Sequence, residues 1–177
     1  FTLLHVGNLK LSHAVSGLVW FVKEVWPEIR NRMPSARFII AGFKPDKIIL
    51  DFTADESIEV VSNPIEVESF YRKSHIFVNP VFNGSGVNMK LGAPSRFGLP
   101  IVTSTFGARG YDQIAQYLQI ADNVEEFAKL VTDLQRDKDL YLFCSHGLQE
   151  KIKEYEPYAQ ANKMIGLSDR KSTRLNS

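Results

Sequence analysis

Four short segments, FTLLHVG (1–7), RFIIAG (37–42), HIFVNPVF (75–82) and LPIVTST (99–105), are apolar almost without interruption. A strand with one wet face alternates apolar and polar residues, whereas a strand covered on both faces reads as a continuous apolar run. The pattern therefore predicts a parallel sheet, and IEVVSN (58–63) offers another strand. Between these runs the period changes. Val15, Leu18, Val19, Val22, Val25, Trp26 and Ile29 recur at helical spacing along one face, and Pro34 is expected to end that helix. VESFYRKS (67–74) predicts a short helix before the third long run. Two more helices follow from Val124, Phe127, Ala128, Val131 and Leu134, and from Leu140, Tyr141, Phe143, Cys144, Leu148 and Ile152. Alternating strands and helices predict an α/β fold, a doubly wound parallel sheet of Rossmann-like type, in which ligands bind beyond the carboxyl ends of the strands.

Composition narrows the function classes. With 177 residues, 44% hydrophobic and 23% charged, the chain suits one globular domain with its own core. Its 21 basic and 20 acidic residues give a formal charge of +1, so no global field draws it to nucleic acid or an anionic membrane. Any anion site must be local. One cysteine, Cys144, allows neither an internal disulfide nor a multi-cysteine metal site and fits a reducing cytoplasm. His5, His13, His75 and His146 lack metal-ligand spacing and read as packing or surface residues, and Trp20, Phe21 and Trp26 read as core. No apolar run is long enough to span a bilayer. The chain opens on FTLLHVGN without Met, as an excised domain or truncated reading frame would, and shows no signal-peptide pattern. Residues 169–177, DRKSTRLNS, carry no apolar periodicity and can be read codon for codon as a translated sequencing-adapter oligonucleotide. The expected division is thus a domain over 1–168 and a disordered tail over 169–177 that replaces the natural C-terminus.

The densest chemistry lies in FNGSGVNMKLGAPSRFGLPIVTST (82–105). Asn83, Gly84, Ser85 and Gly86 form a small-residue turn with closely approachable N–H groups, and a helix expected to begin near Val87 or Asn88 would aim its positive end at the same spot. Lys90 adds a point charge. Small-residue turn, helix N-terminus and one cation together match a diphosphate best, although two glycines could equally serve only to turn the chain into a packed helix.

Several segments in order carry a resemblance to a known family. LLHVGNLK, SGLVWFVKEVWPEIRNRMPSARFIIAG, VESFYRKSHIFVNP and NGSGVNMKLGAPSRFGLPIVTSTFGARGY are similar to successive pieces of the C-terminal, nucleotide-sugar-binding domain of group 1 glycosyltransferases of the GT-B fold. The likeness runs from Phe1 to about Leu167. It implies hexosyl transfer, with retention of configuration, from a nucleoside-diphosphate sugar to an acceptor hydroxyl. It also implies that Gly84, Ser85, Gly86, Val87 and Asn88 face the donor diphosphate, with Gly7 at the opening turn. Lys90 falls where the family commonly has a basic residue and would neutralise the departing diphosphate. Lys10 would stand in for basic residues that many members carry after the opening glycine, where this chain reads Gly7-Asn8-Leu9-Lys10. Arg109 lies in the loop expected to approach the nucleotide, as a base or phosphate contact or as a solvated loop charge.

Two departures stand out. The family's ribose-binding glutamate falls on Ala93, whose methyl accepts no hydrogen bond, and the first member of its paired glutamates falls on Ser85. Pro94 beside Ala93 is unfavourable to a helix. A degenerate, non-catalytic donor-like domain acting as scaffold or partner-binding module therefore remains an alternative. A flavodoxin-like or receiver-like domain is a further alternative, although a receiver would need an early acidic cluster that HVGNLK does not supply. The implied partners are the sugar donor and an N-terminal acceptor domain absent from this chain, without which the chain would not turn over. No cofactor or metal, no nucleic acid and no transmembrane segment are expected, and the setting is cytoplasmic or peripheral at the inner membrane face.

Overall fold

The computed structural model describes residues 1–84 and 89–154. Ser85, Gly86, Val87 and Asn88 and the tail at 169–177 lie outside the described residues. The strands are β1 (Thr2–Asn8), β2 (Arg37–Phe43), β3 (Ile58–Ser62), β4 (Ile76–Asn79), β5 (Ile101–Thr103) and β6 (Gln119–Ile120). They form one parallel sheet in the order β3-β2-β1-β4-β5-β6. The continuous apolar runs are explained by the two cores they feed. Leu3, Phe38, Ile40, Ile76, Val78 and Val102 enter the cluster under α1 (Ser12–Trp20), α2 (Trp26–Arg32) and α6 (Val124–Arg136), together with Phe21 and Trp26. The neighbours on the same strands, Leu4, Ile39, Ala41, Phe77 and Ile101, enter a second cluster with Tyr71, Leu91, Leu99 and Leu148 on the other face. The remaining helices are α3 (Lys47–Leu50), α4 (Glu68–Lys73), α5 (Gly92–Arg96) and α7 (residues 138–154).

Three features differ from the sequence pattern. The expected first helix is broken by a π turn at Phe21–Val25, which joins α1 to α2. The Trp26 N–H reaches the Phe21 carbonyl, one residue farther than an α-helix allows, immediately before Pro27. Proline has no N–H to donate, and its ring would clash with the carbonyl four residues earlier, so the widened turn carries the helix past it. Second, Met89–Leu91 form a 3₁₀ turn in place of the expected α-helix, and α5 begins only at Gly92. An earlier start would drive the Pro94 ring into the Lys90 carbonyl, whereas in the first turn of α5 its missing N–H has no intrahelical partner to lose. Pro94 is thus compatible with the fold and buried within it. Third, β6 spans only two residues, too few to produce a periodic signal.

Candidate functional site

The strand order reverses between β1 and β4, so the crevice beyond their carboxyl ends is where a doubly wound sheet accepts a ligand. β1 delivers Gly7 there and β4 delivers Asn79, followed by Pro80 and the loop to Gly84. Pro80 ends β4 because it has no donor for the sheet ladder. The segment after this loop returns Lys90 over β1. A Cβ on Gly7 would lie 3.0 Å from the Lys90 Nζ, 3.1 Å from its Cε and 3.4 Å from the His5 Nε2. Only glycine leaves this gap. The Lys90 Nζ is buried, and desolvation lowers its pKa from the ordinary lysine value. An ammonium removed from water in this way gains strongly from any anion that reaches it.

The β4 loop is fastened on two sides. Toward α1, a Cβ on Gly17 would overlap the Pro80 carbonyl oxygen, and a Cβ on Gly84 would lie 3.4 Å from the His13 ring. Gly84 adopts φ +138, which a side chain would strain, so its glycine is required by backbone geometry as well as by space. Toward β5, Asn79 and Thr103 exchange two hydrogen bonds: the Asn79 Nδ2 donates to the Thr103 Oγ1 at 3.0 Å, and the Thr103 hydroxyl lies 3.1 Å from the Asn79 carbonyl. The Ser104 hydroxyl donates to the Val81 carbonyl and accepts the Gly107 N–H at 2.9 Å. A Cβ on Gly107 would sit 2.5 Å from the Asn79 Nδ2, so the turn after β5 closes directly onto this polar latch. All four of its residues, Asn79, Thr103, Ser104 and Gly107, are buried.

His5 forms the floor. It is fully buried, stacks on Phe77 with ring centroids 5.9 Å apart, and bonds through Nδ1 to the Val78 carbonyl at 2.9 Å. A carbonyl only accepts, so Nδ1 carries the proton and Nε2 keeps a lone pair. Burial first, and the Lys90 charge second, push the His5 pKa down to about 3, and the ring is neutral.

The other sequence candidates spread around this centre. Lys10 is exposed in the β1–α1 turn, where its N–H donates to the Asn8 Oδ1 at 3.1 Å. Arg109 is exposed, its guanidinium 4.6 Å from the Phe106 ring centroid. Ala93 is half-buried in α5 and packs against the second core. Ser85, Gly86, Val87 and Asn88 are outside the described residues, so the structure joins Gly7 and Lys90 directly and frames Gly84 against α1. A five-residue α5 aligns few peptide dipoles, and the described positive charge at the gap is that of Lys90. Sequence reasoning missed His5, His13 and the Asn79–Thr103–Ser104 latch. The available signals were polar residues within buried strands, in TLLHVGN, IFVN and IVTS. Among the described residues no group of three or more His, Cys, Asp or Glu could hold a metal ion, and no helix is long and apolar enough to cross a membrane.

Comparison with known proteins agrees with this architecture. A curated Klebsiella pneumoniae relative, described as an uncharacterised 44.6 kDa protein in the cps region, is 27% identical over 143 residues, covering 76% of this chain and 37% of the relative. The C-terminal domain of the Francisella tularensis group 1 glycosyl transferase LpcC superposes with a TM-score of 0.69 at 13% identity, over 86% of this chain and 85% of that one. Staphylococcus aureus TarM gives 0.72 at 13%, over 94% and 34%. Anabaena HepE, solved with UDP and glucose, gives 0.72 at 9%, over 94% and 48%. The chain therefore spans about a third of the curated relative and of TarM, and these structural likenesses show the fold. The family model for the group 1 glycosyl transferases matches residues 1–137, and the chain belongs to that family.

Proposed function

We propose that this chain is the donor-binding half of a glycosyltransferase, taking a nucleoside-diphosphate sugar and passing its hexose to an acceptor hydroxyl with retention of configuration. The single observation that carries the reading is the buried Lys90 ammonium over Gly7 at the point where the strand order reverses. A leaving diphosphate gathers negative charge as the glycosidic bond breaks, and a fixed cation in a water-poor site stabilises that charge more in the transition state than in the ground state. Gly84 and the turn Ser85, Gly86, Val87 and Asn88 would donate backbone N–H groups to the same oxygens, Lys10 would add a peripheral charge, and Arg109 would approach the base or phosphate. The UDP bound in the HepE structure supports a pyrimidine nucleotide as the first ligand to try. The acceptor domain belongs to a longer protein, so this chain alone should bind donor without turning it over. The cps-region relative supports a role in surface polysaccharide assembly, on the cytoplasmic side of the membrane.

Calorimetric titration with UDP, GDP, uridine and guanosine tests the reading. Lys90→Ala should weaken the preferred diphosphate about tenfold or more, the worth of a charge-assisted contact, while leaving the nucleoside unchanged. Equal losses for both would refute the role of Lys90. The Ala93 methyl in the place of a ribose acceptor favours the scaffold reading, and a folded chain that binds none of the four ligands would establish that alternative.

A further inference from the structure

We propose that His5 is a positioning residue for Lys90: its Nε2 lone pair faces the ammonium across the gap left by Gly7 and holds it, through one water, over the end of β1. Three observations converge. The ring orientation is fixed by the Nδ1–H bond to the Val78 carbonyl and by stacking on Phe77, so Nε2 cannot turn away. Nε2 has no hydrogen-bond partner among the described residues although His5 is 0% exposed, and an unsatisfied buried acceptor costs free energy unless a donor serves it. Both Nε2 and the Lys90 Nζ lie within 3.4 Å of the position that a Gly7 Cβ would take, so they flank one gap. An ammonium has three N–H donors, so one water that donates to Nε2 and accepts from the ammonium would join the two groups. A neutral acceptor beneath a cation orients it without cancelling its charge, which a carboxylate in the same position would do. That the oriented ammonium serves a diphosphate rests on the function proposed above, whereas the His5–Lys90 coupling does not.

The test uses the whole chain and begins without ligand. Nitrogen NMR of the His5 ring should report a protonated Nδ1 and an Nε2 shifted by hydrogen bonding. The Lys90 side-chain titration should move down by about one pH unit in His5→Phe, because loss of an accepting bond disfavours the charged amine. His5→Phe keeps an aromatic ring to stack on Phe77. His5→Gln offers an amide oxygen near the Nε2 position but also loses the bond to Val78, so a merely structural role would leave Gln no better than Phe. Recovery of the Lys90 midpoint in His5→Gln supports positioning. If UDP or GDP binds, His5→Phe should lower its affinity about five- to tenfold and have no further effect in a Lys90→Ala background. An unchanged Lys90 midpoint in His5→Phe, or a proton found on Nε2 instead of Nδ1, overturns the proposal. Should neither nucleotide bind while the Lys90 midpoint moves as expected, the donor reading fails and the coupling stands. If His5→Phe does not fold, the parent's ring tautomer and the His5→Gln titration still decide.

Discussion

Adding one methyl at Gly7 separates fold from site. The new Cβ of Gly7→Ala would lie 3.0 Å from the Lys90 Nζ and 3.1 Å from its Cε, where relaxed contacts between such atoms need about 3.5–4.0 Å. The neighbour that must yield is the far end of a flexible side chain, not backbone. The Gly7 backbone is in β1, outside the left-handed region, so alanine fits its conformation and recovers about 0.4–1 kcal/mol by restricting the unfolded chain. Crowding costs a similar amount, and net stability should stay within about 1 kcal/mol of the parent, a melting shift of no more than about 4 °C for a chain of this size. The ammonium, however, must retreat by roughly half an ångström or more to restore that contact distance. A charge-assisted bond of about 1.5–3 kcal/mol would then be lost in part or whole, lowering nucleoside-diphosphate affinity about tenfold without affecting the nucleoside. Differential scanning calorimetry and isothermal titration on one preparation read both quantities. Unchanged diphosphate affinity would show that Lys90 over Gly7 does not meet the phosphates. A melting loss above about 10 °C would show that the gap is structural.

Gly107→Ala should do the opposite, damaging stability first. Its Cβ would crowd Thr103 and the Asn79 amide and break the bond between them, costing about 1–3 kcal/mol in strain and as much again in unsatisfied buried groups. Denaturant unfolding should report a loss of about 3–5 kcal/mol, and a loss below 1 kcal/mol would mean the latch is not rigid. Acid should act through His5. Its folded pKa of about 3 lies below the unfolded value of 6.5, so the unfolded chain binds the extra proton between these values and stability falls as pH drops through that window. By pH 4 the loss from this group approaches about 3 kcal/mol. Unfolding free energies measured from pH 7 to pH 4 should fall less steeply in His5→Gln than in the parent, and parallel curves would contradict a buried neutral His5.

The sheet was legible because each strand feeds two cores: Leu3 and Leu4, or Phe38 and Ile39, point to opposite faces, so both must be apolar and the run is continuous. Gly84 and Lys90 could be singled out as candidates because a small-residue turn and a lysine after it are local features, and Gly7 because the family resemblance places it at the opening turn. What it could not supply was contact between distant positions. Asn79 and Thr103 are 24 residues apart and meet only because β4 and β5 pair with those two residues in register. The π turn depends on what Pro27 does to a helix whose apolar stripe continues through it, so periodicity alone joins α1 and α2 into one straight rod. Its sequence context offers His5 only as a packing or surface residue, yet its Phe77 contact and its Nε2 position are two properties of one ring. A buried strand histidine can satisfy the core with its face and one nitrogen while its remaining nitrogen reaches the crevice. In a parallel sheet that option is open chiefly to residues within about one pleat of the carboxyl edge, where side-chain reach exceeds the remaining strand length, and His5 stands two residues before Gly7 at that edge.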